Sequence, residues 1–218
     1  MIRAVISDLG QVVLWFDNDI FIRKLSARCG LSMDRIMEAA HWNMDLITAF
    51  DKGGIPPREF YERIAKAVDA RMSREEFFAI YNDIFWLNAP ALEVLKRVKL
   101  TGSKLLLLSN TDPERFGFVR KKFSQILIFD DTLLSYELGL AKPEPGIYRE
   151  AVRRAGCAVD ECVFIDDLPE NVEVAVSLGM KGVVYAPTTD LAAELARLGL
   201  VFDDRDFKRS IRPSRPSF

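Results

Sequence analysis

Three observations in this 218-residue sequence predict an α/β fold, a Rossmann-like doubly wound parallel sheet with a helical segment inserted after its first strand. Short apolar runs alternate with helices of about ten residues through the second half, the pattern of parallel strands joined by crossover helices. The first such run, Ala4-Val5-Ile6-Ser7, is cut off from the others by a stretch from Ile20 to about Phe85 whose apolar residues recur every three or four positions, so helices alone fill the gap. Finally, three strands stop on polar side chains, at Asp8, at Ser109-Asn110-Thr111 and at Asp166-Asp167. A parallel sheet aligns its carboxyl ends, so all three groups are expected at one crevice.

Each element has a local reason. The opening β-branched run is a buried strand that ends on Asp8 and a turn at Gly10, where glycine would tolerate φ > 0. Four helices are expected in the insert. Cys29-Gly30 ends the first, Ser32-Met33-Asp34 caps the second, Gly53-Gly54-Ile55-Pro56-Pro57 breaks it from the third, and the capping box Ser73-Arg74-Glu75-Glu76 starts the fourth. Afterwards helices are read at 90–99, 114–123, 146–156, 171–179 and 190–198, and strands at 104–108, 126–129, 162–165 and 182–185. The sheet core thus takes 1–14 and 87–205, and the helical insert takes 15–86. Residues 206–218, with Arg-Pro-Ser-Arg-Pro-Ser, are too polar and proline-broken to pack and are read as a flexible tail.

Composition narrows the function. Thirty basic residues against 32 acidic ones give a formal charge of −2, without the basic field that nucleic acid requires. No apolar run approaches the roughly 18 residues of a membrane span, and the N-terminus enters a strand with no signal-like segment. Cys29, Cys157 and Cys162 are odd in number and show no ligand spacing with the single histidine, His41, so reduced thiols in a cytoplasmic protein are expected. His41, Trp15, Phe16, Trp42 and Trp86 are read as packing residues, Trp15 and Phe16 at a pocket mouth as the alternative. A small-molecule partner is the default.

The strand-end residues suggest which chemistry. Carboxylates from the first and fourth core strands are hard ligands for Mg²⁺, which accepts one or two of them with water and phosphate oxygens. Ser109 Oγ and backbone N–H groups at the start of the following helix can hold a phosphoryl group, and Lys142, set before the prolines of Lys142-Pro143-Glu144-Pro145, can offset its charge. Asp8 is then free to attack as a carboxylate nucleophile. Each residue also has a structural reading: Asp166 or Asp167 as a helix cap, Ser109-Asn110 as a helix entry, Lys142 as a solvated lysine, Asn171 as a first-turn residue.

With these motifs in order along nearly the whole chain, the sequence resembles the haloacid dehalogenase superfamily. Asp-Leu-Gly-Gln-Val and Gly-Leu-Ala-Lys-Pro-Glu-Pro-Gly-Ile-Tyr are similar to its α-glucose-1-phosphatase-like branch. The resemblance implies a helical cap over a Rossmann-like core, with Asp8 as nucleophile, Ser109 and Asn110 binding phosphate and Lys142 serving phosphate and nucleophile. Mg²⁺ would be held by Asp8, the Gly10 carbonyl and Asp167, with Asp166 as a second or outer ligand. The implied reaction is hydrolysis of a small sugar phosphate or related metabolite. Gly10 departs from the pattern, since most phosphatases of the family carry there the Asp that protonates the leaving group. Dehalogenases lack it too, so a metal-independent 2-haloacid dehalogenase is the alternative enzyme, and a binding protein without turnover the other.

Overall fold

The computed structural model describes residues 1–202, so the expected tail at 206–218 lies outside the described residues. Strand β1 (Ala4–Ser7) leads through β2 (Leu14–Phe16) into helices α1 (Asn18–Cys29), α2 (Met33–His41), α3 (Met44–Asp51), α4 (Pro57–Ala67) and α5 (Arg74–Asn82), which β3 (Phe85–Leu87) closes. The second half runs α6 (Ala89–Leu100), β4 (Lys104–Ser109), α7 (Pro113–Lys122), β5 (Asp131–Leu134), α8 (Ser135–Leu138), α9 (Pro145–Ala155), β6 (Cys162–Asp166), α10 (Pro169–Ser177), β7 (Lys181–Val184) and α11 (Leu191–Arg197). None of these helices is long and apolar enough to cross a membrane.

The main sheet has the order β5-β4-β1-β6-β7, with every neighbour parallel. Its central strands β1, β4 and β6 are apolar through their interiors because helices cover both faces. Val5, Leu105, Leu107, Val163 and Ile165 enter one core, while Ala4, Ile6, Leu106, Leu108 and Phe164 enter the other. Ser7 pairs with Leu107 and with Ile165. That register sets Asp8 level with Asp166 and one residue short of Ser109, so the central strand and both its neighbours deliver polar side chains to the same edge.

Three sequence expectations are corrected. The strand at 126–129 is a 3₁₀ turn, Ser124–Ile128, and the edge strand is β5. Of the apolar run only Ile126 is buried, while Asp130 fixes the edge by exchanging with Leu105: its N–H donates to the Leu105 carbonyl, and its carboxylate accepts from the Leu105 N–H. The insert has five helices, because the second expected helix divides at Asn43, whose side-chain amide donates to the Ala39 carbonyl at 2.6 Å. Its ends are also not helical: β2 and β3 pair antiparallel, Trp15 opposite Trp86. Two three-residue strands nearly seventy positions apart leave no periodic trace in the sequence. The capping box forms as read, with Ser73 Oγ accepting from the Glu76 N–H and Glu76 accepting from the Ser73 N–H. His41 and Trp42 sit exposed at the end of α2, which buries only Ile36, so neither is a packing residue.

The insert has its own core, in which Phe50 stacks on Phe60 at 4.2 Å and Phe77 and Tyr81 pack beside them. It is also tied to the sheet core. Tyr81 donates to Asp112 at 2.9 Å, Lys24 and Lys122 both pair with Asp83, and Ser135 donates to the Asp51 carbonyl at 2.5 Å. After α3 the backbone comes so close that a Cβ on Gly53 would collide with the Tyr136 carbonyl, and its φ of 69° also favours glycine. The three cysteines are free thiols, with Cys157 Sγ 3.5 Å from Cys162 Sγ.

Asn88 joins three parts of this framework. It is buried after β3, its amide donating to the Val12 carbonyl at 2.7 Å and to the Tyr185 hydroxyl at 2.8 Å. Asn88→Leu leaves that carbonyl without its donor, which costs about 1–3 kcal/mol. For a chain of this length the melting temperature should then fall by about 2–4 °C per kcal/mol. An unchanged thermal melt of the folded variant would show that these bonds carry no stability.

Candidate active site

The sheet edge brings together Asp8, Ser109, Lys142, Asp166 and Asp167. Lys142 Nζ lies 2.8 Å from Asp8 Oδ1 and 2.7 Å from Asp166 Oδ2, and 5.8 Å from the centre of the Phe164 ring. It is 6% exposed, so it is not a solvated lysine. Burial alone would disfavour the ammonium, but the charges of Asp8 and Asp166 overcome that and hold its pKa above the usual lysine value. The loop that carries it is fixed by Asn110, whose Oδ1 accepts from the Lys142 N–H and whose Nδ2 donates to the Lys142 carbonyl, both at 2.8 Å. The Lys142–Pro143 peptide is cis. The expected phosphate contact of Asn110 therefore does not come from its side chain, which is engaged at both ends. Its backbone N–H is the remaining donor.

Asp166 is fully buried. Its second oxygen accepts from the Leu168 N–H at 2.9 Å and from Asn171 Nδ2 at 2.8 Å. Asn171 thus orients the acidic group, and neither aspartate caps α10 with its side chain. Asp167, half-buried, has no such anchoring by a side chain. Burial first, then the Asp166 charge, holds its carboxyl above the ordinary carboxylate range. On Asp8, Oδ1 takes both the Leu9 N–H at 2.6 Å and Lys142, and none of these bonds uses Oδ2. Desolvation, against Lys142 and with Asp166, pushes Asp8 up to about 7.

Burial of three carboxylates with a single ammonium among them underlies these shifts. Oxygens of Asp8, Asp166 and Asp167 lie within 4.8 Å of one another. Such a donor set, two of its members pushed toward protonation, fits a hard divalent cation such as Mg²⁺. Asp166 is already engaged with Lys142, Leu168 and Asn171, which leaves Asp8 and Asp167 as the better-placed carboxylates. Ser109 is buried, and its hydroxyl has only a 3.5 Å bond to the Asn110 carbonyl, so it can turn to a ligand. Neither Ser109 nor Asn110 is a helix cap; Asp112 caps α7, accepting from the Glu114 and Arg115 N–H groups at 2.9 Å.

Gly10 stands in the turn after Asp8, but the left-handed backbone expected there falls on Gln11, with φ 53°. What glycine provides is space, since a Cβ on Gly10 would stand 2.8 Å from Phe16 Cε1. Phe16 therefore stands beside this turn and also packs on Phe85, while Trp15 packs on Tyr185.

Beside the crevice lies a second buried polar group that periodicity could not reveal. Asp112, Tyr81, Arg115 and Asp51 meet where the insert touches the core. The Arg115 guanidinium stacks 4.1 Å over the Tyr81 ring and donates to Asn18 Oδ1 at 3.2 Å. Burial, reinforced by Asp112 and opposed by Arg115, pushes Asp51 up to about 7. The only sequence signal for this group is its place: Asp112 and Arg115 follow directly on the Ser109 strand end.

Comparison with known proteins agrees with this geometry. A family model for haloacid dehalogenase-like hydrolases matches residues 33–179. The chain is 25% identical over 185 residues to flavin mononucleotide hydrolase 1 of Arabidopsis thaliana, covering 84% of this chain and 73% of that protein. It is 23% identical over 199 residues to the sesquiterpene phosphatase astK of Aspergillus oryzae, covering 90% and 96% respectively. Among solved structures, a HAD family enzyme of Bacteroides thetaiotaomicron superposes with a TM-score of 0.78 at 27% identity, covering 89% of this chain and 98% of that one. The same enzyme has been solved with magnesium and inorganic phosphate. Sheet order, strand-end carboxylates and sequence match converge: the chain belongs to the haloacid dehalogenase-like hydrolases.

Proposed function

We propose that this hydrolase is a Mg²⁺-dependent phosphomonoesterase that acts on a small phosphorylated metabolite, a sugar phosphate being the case its motifs suggest, through an aspartyl-phosphate on Asp8. The observation that carries this reading is the Asp8–Lys142–Asp166 bridge with Asp167 beside it. Relatives named for flavin mononucleotide and for a sesquiterpene support a constant phosphate site under a variable organic part. The magnesium and phosphate complex of the Bacteroides enzyme supports the cofactor.

Mg²⁺ held by Asp8, Asp167 and the Gly10 carbonyl would neutralise phosphate charge at the attacking oxygen. The chain's own groups do the rest. Lys142, locked on Asp8 Oδ1, holds the carboxylate in one orientation and leaves Oδ2 to attack phosphorus. Ser109 Oγ and the Asn110 N–H receive the phosphoryl oxygens. This attack breaks the phosphorus–ester oxygen bond and expels the alcohol, which takes its proton from water; a second water then hydrolyses the acyl-phosphate, returning Asp8 and releasing phosphate. The insert, 15–86 in our reading, is a cap that closes over this step, with the β2–β3 ribbon as its stem. The dehalogenase reading is weaker, since Asp166 and Asp167 would repel a carboxylate substrate without a cation between them.

Asp8→Asn should keep the fold and abolish phosphate release from a phosphomonoester panel, and excess chelator should do the same to the unsubstituted enzyme. Substantial turnover in either case removes the mechanism.

Attack also needs Asp8 ionised. Because burial, opposed by Lys142 and aided by Asp166, raises its carboxyl to about 7, the carboxylate fraction, and with it kcat/KM, rises as pH passes through that region. A cation favours the ionised form, so the acidic limb should move to lower pH as Mg²⁺ is increased. A limb fixed in pH at all Mg²⁺ concentrations would contradict Asp8 as its source.

Gly10 supplies no acid to the leaving oxygen, a contribution typically about 10²–10⁴-fold. Aryl phosphates and sugar 1-phosphates should therefore be hydrolysed faster than the 6-phosphates of the same sugars. Gly10→Asp should narrow the gap only if Phe16 yields, so the double variant Gly10→Asp, Phe16→Leu is the cleaner comparison. Equal kcat/KM for 1- and 6-phosphates would point to an acid elsewhere.

A further inference from the structure

A fully buried serine outside the catalytic set holds the loop that follows Ser109. Leu134 pairs with Ser109 across the sheet, so Ser135, the first residue of α8, comes level with Asn110. Its Oγ accepts from the Thr111 N–H at 2.9 Å. It has one proton to give, and two carbonyls within reach, that of Asp51 at 2.5 Å and that of Thr111 at 3.0 Å. The shorter bond crosses the seam to the end of α3. Of the two N–H groups that follow Ser109, that of Thr111 is therefore committed to Ser135, and that of Asn110 is left for a phosphoryl oxygen.

Asn110 is held by the same part of the chain. Its side chain grips both backbone atoms of Lys142, so residues 110 and 111 are each tied to the segment between β5 and α9. The insert meets that segment with three consecutive residues. Asp51 bonds Ser135, Lys52 pairs with Glu144 at 2.5 Å, and Gly53 comes up against the Tyr136 carbonyl. The Lys52–Glu144 pair is part-exposed and adds little. The Ser135 bond is buried, where a donor or acceptor that loses its partner bears its whole desolvation cost.

Building on the phosphomonoesterase reading, we propose that Ser135 is a positioning residue for phosphate: its hydroxyl sets the direction of the Asn110–Thr111 backbone, and it does so only while the Asp51 carbonyl accepts its proton. With Asp51 in place, the proton points to the insert and a lone pair faces the Thr111 N–H. Without Asp51, the proton turns to the Thr111 carbonyl, and the lone pair rotates away from that N–H. The backbone carrying the Asn110 N–H then loses one of its two restraints. Phosphate bound at Ser109 and Asn110 and the seating of Asp51 on Ser135 thus favour each other by the same factor, as linkage requires. Ser135 itself need not touch the phosphate.

The test uses the full chain with p-nitrophenyl phosphate as substrate and inorganic phosphate as competing inhibitor, each measured as Mg²⁺ is varied. Ser135→Ala should weaken inhibition by phosphate about tenfold, the size of one lost buried hydrogen bond. The Mg²⁺ concentration for half-maximal rate should move by less than about twofold, because Asp8 and Asp167 follow β1 and β6, which β5 does not touch. A merely structural role would shift both constants together. Gly53→Ala reaches the same bond from the insert, since the added Cβ collides with the Tyr136 carbonyl and lifts Asp51 from Ser135. It should also weaken phosphate inhibition, and the double variant should be little worse than Ser135→Ala, because both break one path. Unchanged phosphate inhibition in folded Ser135→Ala, parallel shifts of the phosphate and Mg²⁺ constants, or effects of the two substitutions that multiply would each overturn the proposal. Should Ser135→Ala fail to fold, Gly53→Ala decides alone: a selective loss of phosphate inhibition supports the proposal and full inhibition overturns it. No turnover in the unsubstituted protein, and no phosphate binding by calorimetry, would instead defeat the phosphomonoesterase reading and the role of Ser135 with it.

Discussion

The active edge of this protein depends on one buried ammonium. Lys142 sits between carboxylates from two adjacent strands, at 2.8 Å from Asp8 and 2.7 Å from Asp166, where water cannot screen it. A desolvated ion pair of this kind is costly unless each remaining lone pair and proton is also met. Here that condition is largely fulfilled: Asn110 clamps the lysine backbone from both sides, while Leu168 and Asn171 take the other oxygen of Asp166. The result is a rigid scaffold in which Asp8 has one oxygen fixed and the other left over. Preorganisation of this sort lets a carboxylate act as a nucleophile without first reorganising its surroundings.

The scaffold leaves its charge unbalanced, and that imbalance is informative. Three carboxylates answer to one lysine, and the carboxyls of both Asp8 and Asp167 are held above their ordinary range. A protein that needed these groups only for stability would do better with neutral side chains. Their retention at the edge of a parallel sheet suits a divalent cation and an anionic substrate.

The contacts that hold the insert against the core follow a different logic. Asp112 caps α7 with one oxygen and takes the Tyr81 hydroxyl with the other, and Arg115 bridges Tyr81 and Asn18. Asp51 and Gly53 bring the end of α3 against Ser135 and Tyr136. The strand-end carboxylates thus belong to the sheet, whereas these contacts belong to the seam between sheet and insert.

The sequence by itself determined the central strands of the sheet, because strands buried on both faces are apolar, and it determined Asp8, Ser109, Asp166 and Asp167 as candidates, because polar side chains at strand ends break that pattern, with Lys142 marked by the prolines that follow it. It also carried the capping box at Ser73, which is a local hydrogen-bond arrangement. Tertiary structure decided what depends on distant partners. It tied the Asn110 side chain to a loop 32 residues away, leaving the backbone N–H for the expected phosphate contact, replaced the strand at 126–129 by β5 through the Asp130–Leu105 pairing, and paired Trp15 with Trp86. It alone showed that Gly10 is needed for room beside Phe16 rather than for a left-handed turn.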